Sequence, residues 1–304
     1  MAGRHLERKT AVVTGGAGGI GSQISKIFAQ QGAKVLVADT GADVEGRMGV
    51  DPARVNAVVD GIRAEGGEAV ASIGDIADMD YAESVVKQAL DTWGKLDIVV
   101  CAHGILRERM IFNMTEDEWD GVVRTHLKGC FAITKFASLY WRQSMNGGRL
   151  IYFTSSAGIR GSAGQPNYSA AHAGKIGLML SCSNALSRYN VTANAISPGA
   201  ATRMTDRGRN AAAGSTPTSE TAAGTAMDPA NIVPPIVYLA SDEGASITGR
   251  VVGATGGKIT MWREPQWLAS IYSETPVWDV DRLFEVMPST LGAGGWQPTA
   301  QQFP

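Results

Sequence analysis

Few features of this chain suit a specialised reading. Its three cysteines, Cys101, Cys130 and Cys182, are an odd number, far apart, and never paired as C-x-x-C. That argues against a disulfide framework and against a zinc site. Cys130 and Cys182 fall in apolar helical patterns and read as buried, inert thiols. No run reaches the roughly 20 apolar residues of a membrane span. The opening MAGRHLERKT enters a strand pattern without an apolar stretch of signal-peptide length, so a cytoplasmic protein is expected. Basic residues number 27 and acidic residues 29, for a net charge of −2, and no Lys/Arg block stands out. Nucleic acid and membrane surfaces are therefore not expected partners. There is no internal repeat.

What the chain does have is glycine, 37 of 304 residues, within a composition that is 44% hydrophobic. That suits one sizeable α/β core. Short β-branched runs at 10–14, 34–38, 68–73, 96–101, 149–154, 190–196 and 251–254 alternate with helical patterns. The helical patterns cover 20–31, 52–65, 81–93, 116–145, 166–187 and 229–239. Alternation of this kind predicts βαβ units. DIVVCA and RLIYF are apolar almost throughout, as strands covered on both faces should be. The fold class expected is α/β: a single doubly wound Rossmann-like domain with a mostly parallel seven-stranded sheet over 1–258. Residues 207–227 are small, polar and without period. They read as part of a mobile lid at about 205–227, with a plain connection as the alternative. The remainder, 259–304, forms a C-terminal extension. It holds Trp262, Trp267, Trp278 and Trp296, aromatic surface that should pack on the body or on a neighbouring subunit.

The first strand pattern leads into Thr14-Gly15-Gly16-Ala17-Gly18-Gly19-Ile20-Gly21 and then a helix. Glycines there permit a tight turn and close approach to a pyrophosphate, whose charge rests on the helix N-terminus. The second strand ends in LVADT, and Asp39 would accept hydrogen bonds from a ribose 2′-hydroxyl and repel a 2′-phosphate. NAD is accordingly expected over NADP. Asp75, after the third strand, serves either the adenine end or as the N-cap of the next helix.

The Thr14-Gly-x-x-x-Gly-Ile-Gly21 spacing, followed by Ser155 and Tyr168, resembles the short-chain dehydrogenase/reductase family over about residues 8–258. The stretches GILRERMIFNMTEDEWDGVVRTHLKGCF, GQPNYSAAHAG and GGKITMWREPQWLASIY are similar to a subgroup of it. That subgroup comprises the dehydrogenase domain of multifunctional enzyme type 2 and bacterial relatives acting on 3-hydroxyacyl-CoA or 17β-hydroxysteroids. The resemblance implies Tyr168 as catalytic acid/base and Ser155 as anchor of the substrate oxygen. It implies Gly15, Gly19 and Gly21 on the pyrophosphate, with Gly18 and Ile20 in the same loop. Pro198, Gly199 and Thr202 would line the nicotinamide, and Ile76, Ala102, His103, Gly104, Tyr168 and His172 would complete the cofactor contacts. A tyrosine works near neutral pH only if its pKa falls well below about 10, and a neighbouring serine hydroxyl can polarise the reacting oxygen.

Three positions depart from the family pattern. Tyr168-Ser-Ala-Ala-His172 stands where the family has Tyr-x-x-x-Lys. That lysine holds the nicotinamide ribose and lowers the tyrosine pKa. A unit charge about 4 Å away at a dielectric near 20 is worth roughly 4 kcal/mol, about 3 pKa units, and a mostly neutral histidine forfeits most of it. Lys175, one turn further along the same helix, is a candidate to supply the missing charge, against the alternative of a solvated surface lysine. His126 replaces an asparagine that ties a water chain to the active-site lysine through a backbone bend; it either takes that task or is a satisfied interior group. Cys101-Ala102-His103-Gly104 replaces Asn-Asn-Ala-Gly, losing two bracing amides. No ligand spacing completes a metal site around His103, His126 and His172.

The expected function is an NAD-dependent dehydrogenase or reductase for a bulky apolar secondary alcohol or ketone: a hydroxyacyl thioester, a steroid or a cyclic alcohol. Two alternatives stand beside it. One is a non-redox proton-shift enzyme (isomerase, dehydratase or lyase) created by His172; the other is a non-catalytic NAD-binding or partner-binding subunit. A homodimer or homotetramer through the helices at 116–145 and 166–187 is expected.

Overall fold

All five residues of the first strand, β1 (Thr10–Thr14), are buried because helices cover both of its faces. Ala11 and Val13 turn to one core while Val12 turns to the other. In the computed structural model, residues 4–206, 217–263 and 269–293 are described. After β1 come α1 (Gly19–Gln30), β2 (Lys34–Asp39), α2 (Pro52–Ala64), β3 (Glu68–Ile73), α3 (Met79–Trp93) and β4 (Ile98–Cys101). The second half runs α4 (Glu116–Val123), α5 (Gly129–Ser144), β5 (Gly148–Phe153), α6 (Ser156–Arg160), α7 (Pro166–Leu186) and β6 (Val191–Gly199). Then follow α8 (Arg203–Asp206), α9 (Val233–Ala240), β7 (Val251–Thr255), β8 (Lys258–Met261) and α10 (Val280–Val286).

The strand order is β3-β2-β1-β4-β5-β6-β7-β8. Winding reverses between β1 and β4, and a sheet of this type binds ligands beyond its strand C-termini at that point. The fold is the expected α/β architecture, with one strand more than the seven predicted. β8 pairs antiparallel with β7 in a hairpin across Gly256 and Gly257, and all four of its residues are exposed. An edge strand with no helix over it lacks the apolar run that marks its neighbours, which is why the sequence pattern missed it. The sheet thus continues past the expected boundary at 258, and the chain divides into units Met1–Trp262 and Arg263–Pro304.

The helical pattern at 116–145 is not one helix. Residues Arg124–Lys128 form a π turn between α4 and α5. One extra residue in a turn re-aims the side chains around it, and His126 is buried there. Helix starts follow local chemistry elsewhere. Asp78 caps α3, accepting from Asp80 and Tyr81 N–H, and Thr115 with Glu118 forms a capping box on α4. The alternative that Asp75 caps α3 is therefore corrected: Asp78, three residues on, does so.

Of the expected lid, 207–216 lies outside the described residues, as do Trp267 and Trp296. The described part is anchored at both ends. Ser219 N–H donates to Asp206 at 3.1 Å, and Ala201 N–H donates to the Met227 carbonyl at 2.8 Å. No helix among the described residues is long and apolar enough to cross a membrane.

Candidate active site

A cavity of about 550 Å³ opens beyond the C-terminal ends of β1, β2, β4 and β5. At one end the chain leaves β1 through Gly15, which adopts φ +70°, and a Cβ there would strike the His103 backbone at 2.5 Å. A Cβ on Gly21 would sit on the Gly15 carbonyl oxygen, so only glycine closes this turn. Helix α1 begins at Gly19 with no side-chain cap on Gly18 and no acid in its first turn. Its free N–H groups and positive dipole end suit a phosphate. Asp39 accepts from Ala17 N–H and Gly41 N–H, both at 2.9 Å, which fixes its carboxylate beside the loop. Gly15, Gly18, Gly19, Ile20, Gly21, Asp39, Asp75, Ile76, Ala102, His103 and Gly104 all line this cavity. So do Pro198 and Thr202. Gly199, at the end of β6, pairs with Thr255 of β7, and a Cβ on it would strike the Thr255 side chain. Asp75 pairs with Arg124 at 2.5 Å and accepts from Ala77 N–H at 2.9 Å.

At the other end lie Ser155, Tyr168, His172, His126 and Lys175, brought together from β5, α7 and the π turn. Ser155 caps α6, its hydroxyl oxygen accepting from Ala157 N–H at 3.1 Å, and the Tyr168 hydroxyl donates weakly to Met204 Sδ at 3.9 Å. Tyr168, His126 and His172 stack as a cluster. Ring centroids are 4.0 Å apart for Tyr168–His172, 4.6 Å for His126–His172 and 5.1 Å for His126–Tyr168. Burial pushes the Tyr168 phenol up to about 12, with Ser155 opposing and Glu108 adding to the rise. No cation figures among these influences. Both ring nitrogens of His172 are buried without a partner. His172 also lines the cavity.

Lys175 is not a solvated surface lysine, because its side chain is wholly buried. Its Nζ lies 3.0 Å from His126 Nδ1, and it lines the same cavity as Tyr168. His126 uses Nε2 on Ile105, whose carbonyl oxygen is at 2.8 Å and whose N–H is at 3.1 Å. His103 faces inward too, with Nδ1 at 2.6 Å from Thr14 Oγ1 and Nε2 at 3.7 Å from Cys130 Sγ. Burial, followed by the charge of Lys175, holds His126 and His172 well below the usual imidazole range. Among the described residues no His/Cys/Asp/Glu group could hold a metal ion.

Asn167 was not anticipated. Fully buried, it donates to the carbonyls of Arg107 (3.0 Å) and Glu118 (2.8 Å) and accepts from Tyr168 N–H at 2.7 Å. It fastens the start of α7, and so Tyr168, to α4 and the segment after β4. An asparagine at a helix start is ordinary in sequence, and its partners 49 and 60 residues away give it no local signature.

Comparisons with known proteins agree with this geometry. Residues 9–213 match the family described as short chain dehydrogenase. The hydroxyacyl-CoA dehydrogenase ChsB1 of Mycobacterium tuberculosis is 36% identical over 285 residues, 91% of this chain and 87% of that protein. The peroxisomal multifunctional enzyme type 2 of Mus musculus is 38% identical over 202 residues, 66% of this chain but 27% of the mouse enzyme. A crystal structure of a short chain dehydrogenase from Mycobacterium avium superimposes with a TM-score of 0.82 at 37% identity. It covers 97% of this chain and 98% of its own.

Proposed function

Because this chain belongs to the short-chain dehydrogenase family, we propose that it is an NAD-dependent oxidoreductase interconverting a secondary alcohol and a ketone on a bulky apolar substrate, foremost a 3-hydroxyacyl thioester. The observation that carries the proposal is one cavity lined by the glycine turn and Asp39 at one end and by Ser155 and Tyr168 at the other. Bound along it, NAD would accept the hydride from the alcohol carbon. The thioester class rests on the name of the mycobacterial relative. NAD over NADP rests on Asp39, whose carboxylate is held in place and would repel a 2′-phosphate.

The protein's own part is a proton transfer and its geometry. Tyr168 takes the alcohol proton during oxidation and returns it during reduction, while Ser155 holds the substrate oxygen. His172, which stands where the family lysine would, lines the cavity and would adjoin the ribose there. Asn167 is a positioning residue that holds Tyr168 through its own amide. Pro198 and Thr202, which line the cavity, would border the nicotinamide. We further propose a homodimer or homotetramer, with Phe131 and Leu139, each about half exposed on α5, in the contact. Neither a proton-shift enzyme nor a non-catalytic subunit draws on any observation that this reading leaves unused.

The test follows NADH formation from a panel of 3-hydroxyacyl-CoA thioesters, hydroxysteroids and cyclic alcohols. We expect turnover with at least one thioester, and Tyr168→Phe to lose about 10²–10⁴-fold in kcat while still binding NAD. Tight NAD binding by the wild type with no turnover on any member of the panel would overturn the proposal.

A further inference from the structure

Arg107 lies in the segment after β4, and its side chain is only 9% exposed. The acid it pairs with, Asp117 at 3.0 Å, is 78% exposed. A pair this open to water offsets little of the desolvation of a buried guanidinium. The other bonds of the side chain say more about why it is there. Nε donates to the Glu45 carbonyl at 2.9 Å, and Nη1 donates to the Asp117 carbonyl at 2.8 Å. Glu45 belongs to the loop between β2 and α2, 62 residues back along the chain, whereas Asp117 sits in the first turn of α4. The side chain joins a loop to a helix.

Helix α4 makes room for it. A Cβ on Gly121 would strike Arg107 Nη1 at 2.5 Å and Cζ at 2.9 Å. Glycine inside a helix is less stable than alanine, and here it leaves the guanidinium its place. The loop that Arg107 reaches has a defined shape. Asp43 accepts from Arg47 N–H at 2.8 Å and from Met48 N–H at 2.9 Å. Leu106 N–H donates to the Val44 carbonyl at 2.9 Å, and a Cβ on Gly46 would come within 3.0 Å of the Ile105 side chain. The loop therefore rests along residues 105–107. Its Val44, Met48 and Val50 line the glycine-turn end of the cavity.

The main chain of Arg107 has a different task. Its carbonyl accepts from Asn167 Nδ2 at 3.0 Å, and the Asn167 side chain accepts from Tyr168 N–H at 2.7 Å. Side chain and backbone of one residue thus serve opposite ends of the cavity. We propose that the Arg107 side chain is a positioning residue for the dinucleotide: by tying the Glu45 carbonyl to α4 it keeps the loop over 40–51 in the shape that receives the nucleotide, and it takes no part in the chemistry at Tyr168. A loop already held in its binding shape loses less freedom when the ligand arrives. The proposal rests on the reading of the cavity as a dinucleotide site. Arg107 also lines that cavity, so the rival account is a plain cation beside the ligand. A lysine would satisfy the rival but not the proposal, because a single ammonium lacks the planar fork that spans two partners.

The test compares the wild type with Arg107→Lys and Gly121→Ala, using the whole protein. Arg107→Lys keeps the charge and loses the fork; Gly121→Ala keeps Arg107 and pushes its guanidinium out of place. We expect each to weaken NAD binding about tenfold in a fluorescence titration. Hydrogen exchange read by mass spectrometry should quicken over 40–51 and stay unchanged over α7. In turnover with Arg107→Lys, KM for NAD should rise by a similar factor while kcat stays within about twofold, the pattern of lost binding without lost chemistry. Wild-type affinity in Arg107→Lys would overturn the proposal, since charge alone would then suffice. Unchanged exchange over 40–51 would overturn it too, as would a kcat that falls as far as KM rises. If one variant fails to fold, the other decides. Binding and exchange need no turnover. A wild type that does not bind NAD would sink the dinucleotide reading and the proposal together, whereas equal NAD binding by wild type and variants would sink the proposal alone.

Discussion

At the glycine-turn end of the cavity, the backbone shapes the walls: a glycine turn, the uncapped N–H groups of α1, and one carboxylate pinned by two N–H donors. At the catalytic end, side chains do so. Tyr168, His172, His126 and Lys175 come from two separate elements and meet only inside the fold. Backbone geometry of the first kind tolerates almost no change of residue at its tight points. The second kind is a set of buried polar groups whose contacts depend on how remote elements pack. Replacement of the expected lysine by His172, with Lys175 one turn deeper, is a change that only the second kind could absorb.

The largest effect expected from this contrast is at Gly21. Gly21→Ala places a methyl on the Gly15 carbonyl. It should cost about 3 kcal/mol of stability in denaturant melts and lower NAD affinity about 100-fold, roughly 2.7 kcal/mol, by fluorescence titration. Unchanged binding would show that the turn is less rigid than the backbone picture requires.

Next comes pH. The Tyr168 phenol stands at about 12 in the cofactor-free protein, and oxidation needs the phenolate. Hence kcat/KM for alcohol oxidation should rise with pH through the alkaline range, while reduction, which needs the phenol, should stay level until the pH nears that value. Moving the cation back beside Tyr168, in His172→Lys combined with Lys175→Met, should shift that limb downward by about one to two units. An unmoved limb would mean that charge at 172 plays no part in activating Tyr168.

The smallest effect is expected at Asp39. Asp39→Ser removes the repulsion of a 2′-phosphate, and the ratio of kcat/KM with NAD to that with NADP should drop about tenfold, some 1.4 kcal/mol. A ratio that stays fixed would place nucleotide choice elsewhere along the cavity.

Most of the architecture was legible before any coordinates. Apolar runs such as RLIYF gave strands, and the glycine spacing with Asp39 gave the dinucleotide turn, because these depend on neighbours within a few residues. The edge strand β8 escaped because it is exposed and short. The break at Arg124–Lys128 escaped because a π turn keeps helical residue preferences. At the site, Ser155 and Tyr168 were found by their spacing. Asn167 was not, since its three bonds join segments that are remote in sequence.

The order of residues alone thus determined the fold class and the glycine turn after the first strand, and it singled out Ser155 and Tyr168, which the fold brings to one cavity. It could show that a lysine was missing at 172 and that another stood at 175. It could not show which way Lys175 points. Helix periodicity put it near the face of Tyr168, and its amine meets His126, carried inward on the π turn. That choice belongs to the tertiary structure, because a buried ammonium goes to the nearest acceptor that packing provides, and here the acceptor lies 49 residues away along the chain.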